Sequence, residues 1–287
     1  MDIFRNKPVK IITLSFIGIL VLMVSLYFLA NSALFFPSHS ATAFDRLNQL
    51  PHMEEVTIKS DDVTLSGWLV KNTDTSPAPL VIFFGGNGQN AASTVYAMER
   101  NQYWSVYHGF NFLMVDYPGY GLSSGRPSQE SIFHMALAVY DYAISRVEVD
   151  LEGIILQGFS LGTGVATYVA SKREVAGLIL IAPYDDMLHV YNDQVNIFHG
   201  PLSLLIRNRF PSTYYASQIS IEPLIISSRD DEIISYRLAD NLVQSFPVPV
   251  ENIILDGLKH NDLLGDSQVK ELIHEYLEYV NRNVTDF

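Results

Sequence analysis

From Leu80 onward the sequence alternates short, almost wholly apolar runs with longer helical patterns, and this alternation restricts the chain to one class of fold. The apolar runs occupy residues 80–84, 112–115, 154–157, 177–181, 224–227 and 251–255. A strand with one wet face alternates polar and apolar residues; a strand apolar throughout belongs to a parallel sheet covered on both sides. Helical patterns at about 91–108, 129–147, 161–172, 236–245 and 267–281 supply the crossovers, which are right-handed in such sheets. Two further strands, at residues 56–58 and 63–70, flank Ser60-Asp61-Asp62 and read as an antiparallel pair. The expectation is an α/β fold with one mostly parallel, doubly wound, eight-stranded sheet. Residues 72–79 form the turn-rich approach to the third strand.

Residues 183–222 break the rhythm. About forty residues separate two core strands and contain apolar helical pieces at residues 187–191 and 202–209. Long excursions from a compact sheet are usually functional. This one, taken as about 184–222, is expected to form a small helical cap over the C-terminal edge of the sheet, where open α/β sheets bind ligands.

Residues 11–30 contain no charge, and roughly twenty apolar residues are what a helix needs to cross a bilayer. Arg5, Lys7 and Lys10 precede the stretch, and no basic residue follows before Arg46. The positive-inside rule then places the N-terminus in the cytoplasm and the rest of the chain outside it, in a periplasmic, extracellular or lumenal space. The expected division is a cytoplasmic tip and anchor at 1–37 and a catalytic domain at 38–287. Two other readings compete: a signal peptide cut near Ala30-Asn31-Ser32, and a buried core helix, which normally keeps a polar face that this segment lacks.

Charge narrows the partners. The net charge is −13 over 287 residues, and residues 1–37 hold three basic groups against Asp2, so the remainder carries −15. A body that acidic repels nucleic acid and anionic headgroups alike, so membrane attachment has to come from hydrophobic insertion. The chain has no cysteine, which excludes disulfides, a thiolate nucleophile and thiolate-bound zinc.

The chemistry centres on Gly158-Phe159-Ser160-Leu161-Gly162. A strand runs into this GxSxG and a helix leaves it, the context a nucleophile elbow requires. A serine hydroxyl is a weak nucleophile until a base takes its proton. In such an elbow the acid and then the histidine follow in chain order, which removes His39, His52, His108 and His134. His189 and His199 fall in the cap, and His274 lies in the last helix. His260 stands in a loop just past the final strand and is the expected base. The orienting acid should follow an earlier strand: Asp230 or Asp231, between which spacing does not choose, with Asp185 and Asp186 behind them. The oxyanion hole needs two backbone N–H groups, expected from Leu161 and from Asn87 or Gly88 in the loop 85–89. That loop lacks the spacing of a nucleotide-binding motif.

Taken together, these motifs resemble the membrane-anchored α/β-hydrolase-domain-containing serine hydrolases. The resemblance covers nearly the whole chain. It includes Leu34-Phe35-Phe36-Pro37-Ser38 after the anchor, Gly86-Asn87-Gly88, the run from Asp116 to Ser128 with its Asp-Tyr-Pro-Gly-Tyr-Gly, the GxSxG, Asp231-Glu232 and His260-Asn261-Asp262. It implies that Asp231, directly before the glutamate, is the acid. Gly85 and Ser228 depart from the family pattern, which has histidine and glycine there. The resemblance implies hydrolysis of an ester-type acyl bond, with lipid esters and thioesters among the family's substrates, without metal or cofactor. Gly86, Gly88, Phe159 and Tyr117 are expected to meet the substrate. Amide cleavage by the same triad and a non-catalytic scaffold are the alternatives.

Overall fold

The computed structural model describes residues 7–32, 34–39, 41–60, 62–72 and 76–285; Asp61 of the expected hairpin turn, Arg5 and part of the 72–79 turn lie outside these residues. The strands are β1 (Met53–Ser60), β2 (Val63–Val70), β3 (Ala78–Phe84), β4 (Asn111–Val115), β5 (Val149–Phe159), β6 (Gly177–Ile181), β7 (Leu224–Ser228) and β8 (Asn252–Leu255). They form one sheet in the order β1-β2-β4-β3-β5-β6-β7-β8. β1 and β2 are antiparallel, with Ser60 opposite Val63, β2 is antiparallel to β4, and every later pair is parallel. All eight expected strands are present.

The helices are α1 (Lys7–Ser32), α2 (Ala41–Leu47), α3 (Ala91–Arg100), α4 (Gln129–Ile144), α5 (Leu161–Ala170), α6 (Met187–Val195), α7 (Ser212–Ala216), α8 (Tyr236–Val243) and α9 (Ser267–Thr285). Strand periodicity of two divides β5 between two cores. Ile154 and Leu156 pack with Phe133 of α4, Val165 of α5 and Leu238 of α8 on one face. Ile155 and Phe159 pack with Val95 of α3 and Ile273 of α9 on the other. Burial on both faces is why these strands read as unbroken apolar runs.

Two helical expectations need correction. The stretch 91–108 is not one helix: α3 ends at Arg100, Gln102 takes a left-handed φ of 52°, and a 3-10 turn follows at Tyr103–Ser105. The break turns Tyr103 and Tyr107 onto one another, with ring centroids 5.8 Å apart, and Tyr107 onto Phe112 at 4.9 Å. Aromatic packing outweighs continuation of the helix. The piece at 202–209 is a 3-10 helix at Gly200–Leu205 followed by an irregular run, with Pro201 at its start and Arg209 drawn onto Asp186 at 2.7 Å. The short helices α2 and α7 carry too few residues to show a period. α2 is held by burial of Leu47 and by Phe44 edge-on to Trp68.

Within α1, the span Pro8–Phe28 has a mean hydropathy of 2.5 and none of it is buried in the body. The core-helix reading is therefore wrong, because nothing in the fold covers this apolar surface.

Asp116 follows β4 and organises the loop beside the sheet's C-terminal edge. Its carboxylate accepts the Ala91 N–H at the start of α3 (2.6 Å) and the Leu122 N–H (3.3 Å), and a Cβ on Gly121 would overlap it. Burial pushes the Asp116 carboxyl up to about 6, against the two N–H bonds and nearby His39, which favour the charged form. Between its ordinary value near 4 and about 6, the folded chain holds a proton that the unfolded chain releases. Stability from this group is therefore present at low pH and lost as pH rises through that window. Asp116→Asn should remove the slope. The Tm difference between variant and wild type, measured from pH 4 to 7, should shift in the variant's favour as pH rises. A pH-independent difference would contradict this account.

Candidate active site

β5 carries Ser160 out of the sheet and α5 starts on the next residue. Ser160 sits at φ 53°, ψ −120°, a backbone that L-residues avoid and that costs on the order of 1–3 kcal/mol. Its neighbours leave no alternative. The Ser160 N–H donates to Ile181 O at 2.9 Å, and its carbonyl accepts the N–H and the hydroxyl of Thr163 at 3.0 and 2.7 Å. A Cβ on Gly158 would lie 2.5 Å from Gly162 O, and one on Gly162 would overlap the Phe84 carbonyl. The two glycines let α5 lie directly on the ends of β3 and β5.

His260 opens a 3-10 turn (His260–Gly265) beyond β8. Its Nε2 is 2.9 Å from Ser160 Oγ and its Nδ1 is 2.7 Å from Asp231 Oδ2. The ring stacks on Phe159, with centroids 5.0 Å apart. The Asp231 side chain is 0% exposed. Its second oxygen accepts the N–H groups of Ile233 and Ile234, each at 2.8 Å, so the carboxylate is locked by its own loop. Asp230 is exposed and accepts the Gly257 N–H at 2.7 Å instead. Spacing left these neighbours equal; the turn after β7 aims one inward and the other at the next loop.

Sequence reasoning missed two supports of this loop. The Glu232 carboxylate accepts the His260 N–H at 3.2 Å, and Ser228 Oγ donates to Leu258 O at 2.5 Å. Hydrogen bonds from its own backbone and from His260 hold the Glu232 carboxyl below the usual carboxylate range. Its place beside the expected acid was the one available signal. The other candidate acids serve elsewhere. Asp185 takes His189 Nδ1 at 2.8 Å and Asn241 at 3.1 Å, while Asp186 caps α6 through Leu188 N–H and pairs with Arg209. The remaining histidines include His39 against Gly121 O, His199 against Asn196 and His274 against Val106 O, all remote from Ser160 in their bonding.

The loop after β3 faces Ser160. Gly86 lies against it: a Cβ there would sit 2.9 Å from the Phe159 ring and 3.4 Å from Ser160 Cβ. The Asn87 side chain bonds through both its oxygen and its nitrogen. Its Oδ1 accepts Phe36 N–H (2.9 Å) and the Tyr120 hydroxyl (2.8 Å), and its amide donates to Leu34 O. Gly88, at φ 93°, borders a separate groove with Ser93 and Leu264. Tyr117 is buried behind the loop, its hydroxyl donating to Gly85 O at 2.7 Å. Phe159 is buried beneath His260. Tyr117 and Phe159 thus support the site from behind and do not line its cavity.

That cavity measures about 180 Å³ and reaches from Ser160, Leu161 and Asn87 to Met187, Val190 and Tyr191 of the cap, with Leu34 and Phe36 on one side and Ile233 and Ile234 on the other. Its walls are apolar apart from the serine, Asn87 and Gln194. Two further cap aromatics are structural: Tyr184 and Phe210 are fully buried against α5. Among the described residues no cluster of histidine and carboxylate groups is arranged to hold a metal ion.

Residues 79–213 match a family model described as alpha/beta hydrolase fold. An uncharacterised protein of Mycobacterium tuberculosis is 28% identical over 232 residues, spanning 79% of this chain and 80% of that one. Alpha/beta hydrolase domain-containing protein 17C of Xenopus tropicalis is 30% identical over 195 residues, 66% of this chain and 59% of the relative. Among solved structures, an esterase of Pyrococcus furiosus superposes with a TM-score of 0.64 at 19% identity, covering 85% of this chain and 97% of that chain.

Proposed function

This chain is an α/β hydrolase by fold, and from that premise we propose that it is a membrane-anchored serine hydrolase of ester-type acyl bonds. One observation carries the reading: an unbroken line of hydrogen bonds from Ser160 Oγ through both nitrogens of His260 to buried Asp231, at 2.9 and 2.7 Å. Ser160 attacks the acyl carbonyl as His260 takes its proton, and Asp231 holds the imidazole in the tautomer that accepts at Nε2. The tetrahedral oxyanion is stabilised by the backbone N–H groups of Leu161 and Asn87, with the N-terminus of α5 adding favourable charge. His260 protonates the leaving group, then activates water to release the acyl chain. The esterase activity of structural neighbours agrees with this class of reaction.

Ser160→Ala should abolish ester hydrolysis and covalent labelling by a fluorophosphonate probe; a variant that still labels would remove Ser160 from this role. Asp231→Asn should lower kcat by about 10⁴, as an amide selects the wrong tautomer. Asp230→Asn should stay within a few-fold of wild type. Steady-state kinetics of the pair checks the assignment, and reversed effects would overturn it.

The anchor reading rests on the exposed span of α1 and on its attachment. Asn31, just beyond the span, donates to Leu205 O at 2.7 Å and accepts Arg207 N–H at 2.9 Å. Cleavage near Ala30-Asn31-Ser32 would sever these bonds or strand them on a loose end, which favours retention. With Arg5, Lys7 and Lys10 on the cytoplasmic side, the catalytic body lies outside the cytoplasm. Protease added to intact cells, with any outer membrane permeabilised, should digest the body; full protection would reverse the orientation.

The cavity favours an apolar acyl group. At about 180 Å³ it falls below the roughly 300–1,000 Å³ of sites that enclose a whole small molecule, so it takes an acyl chain and leaves the alcohol outside. Each methylene buried adds up to about 0.8 kcal/mol, or about fourfold in kcat/KM. Because Leu34 and Phe36 form part of the wall, the full chain in detergent is the proper sample. Across a p-nitrophenyl ester series, kcat/KM should rise from acetyl to medium-chain esters and then level off. A steady fall from acetyl to octanoyl would exclude the apolar acyl pocket.

A further inference from the structure

Besides the scattered Leu122, Tyr214 and Tyr279, the body's exposed large apolar side chains include two sets. Ile144, Val147 and Leu151 lie at the N-terminal edge of the sheet, where α4 turns into β5. Phe36, Val195, Ile197, Leu204 and Ile233 lie around the cap at the opposite edge. Of this second set, Phe36 and Ile233 line the cavity itself, and Gln194, beside Val195, lines it too and reaches toward the carbonyl oxygens of Glu232 and Ile233 at 3.5 and 3.3 Å. Leu204 is 83% exposed in the 3-10 helix whose last carbonyl, Leu205 O, accepts Asn31.

The position of α1 says what covers this face. The apolar span ends at Phe28. Asn31 is three residues on, about 4–5 Å further along a helix rising 1.5 Å per residue. A headgroup layer is roughly 5–8 Å deep on each side of the hydrocarbon. The cap backbone bonded to Asn31 therefore lies within that layer, and the strap from Leu34 to Phe36, tied to Asn87, leads from there to the cavity wall. With a net charge of −15 outside residues 1–37, contact with lipid at this face has to be apolar.

We propose that the cap face bearing Phe36, Val195, Ile197, Leu204 and Ile233 docks on the phospholipid bilayer that holds α1, so that the acyl cavity opens into the lipid headgroup layer. The inference rests on the anchoring reading above and deepens it: the acyl chain passes from the bilayer to Ser160 without crossing bulk water.

The chain has no cysteine, so single cysteines can be placed cleanly. Leu204→Cys, Phe36→Cys and Val147→Cys in the full chain are labelled with an environment-sensitive NBD dye and reconstituted in phosphatidylcholine vesicles with or without doxyl-labelled lipid. Labels at 204 and 36 should be blue-shifted and at least twofold quenched by shallow doxyl groups, while the label at 147, a position 91% exposed at the far edge, should be neither. Flotation of the same samples reports anchoring independently, and no readout requires activity. A chain that does not float brings down the anchoring reading and this inference with it. A chain that floats with label 204 behaving like label 147 overturns the inference alone. So does a blue shift at 204 that survives in detergent and disappears on protein dilution, since a second copy then covers the face.

Discussion

Everything at the proposed active centre depends on how closely α5 approaches the sheet. Ser160 occupies a backbone conformation that L-residues avoid, and the strain persists because the surroundings over-determine it. Gly158 and Gly162 allow the approach, Ile181 O and Thr163 hold the turn from both sides, and the hydroxyl is left at the sheet's C-terminal edge. A side chain on Gly162 would meet backbone, which cannot give way as a flexible side chain can. The cost of the turn is offset by the apolar packing of α5, whose Val165, Ala166 and Val169 are buried in the core.

The partners of Ser160 arrive from loops distant in sequence, yet all emerge at the same edge because the strands are parallel. β7 delivers Asp231 and β8 delivers His260. Each loop is locked before it meets the other: Ile233 and Ile234 hold Asp231, and Glu232 and Phe159 hold His260. Catalysis of acyl transfer gains from groups that need no reorganisation as charge develops, and this pattern of local bonds supplies that rigidity.

The cap and the segment after α1 are joined to the body by polar bonds as well as by burial of Tyr184, Met187 and Phe210 and of Leu34 and Phe35 in the core. Asp185 links the end of β6 to His189 of α6 and Asn241 of α8, and Asp186 links α6 to Arg209. Asn31 and the Leu34–Phe36 strap fasten α1 to the cap and to the loop facing Ser160. A mostly apolar wall over the serine is thus held by buried side chains together with a few directional contacts.

Much of this was legible before any coordinates. Strands apolar on both faces imply a parallel sheet, because only helices on both sides could cover them. An uncharged apolar run at residues 11–30 implies a helix long enough to cross a bilayer, which the body leaves uncovered. A GxSxG between strand and helix marks the elbow, because only small neighbours permit that turn. These are local patterns, and local physics determines them. What tertiary structure decided is what depends on direction. Asp230 and Asp231 differ by one residue and have the same chemistry, and only the turn after β7 sends one to His260. Asn87 was expected to offer a backbone N–H to the oxyanion hole; that its side chain ties down Leu34 and Phe36, more than fifty residues earlier, is a pairing no spacing rule reveals. The helix expected across 91–108 breaks where Tyr107 stacks on Tyr103 and packs on Phe112 of β4. Sequence determined which groups the chain brings to one edge of its sheet; the orientation of each group there was decided by contacts between segments far apart in the chain, whose geometry exists only once the chain is folded.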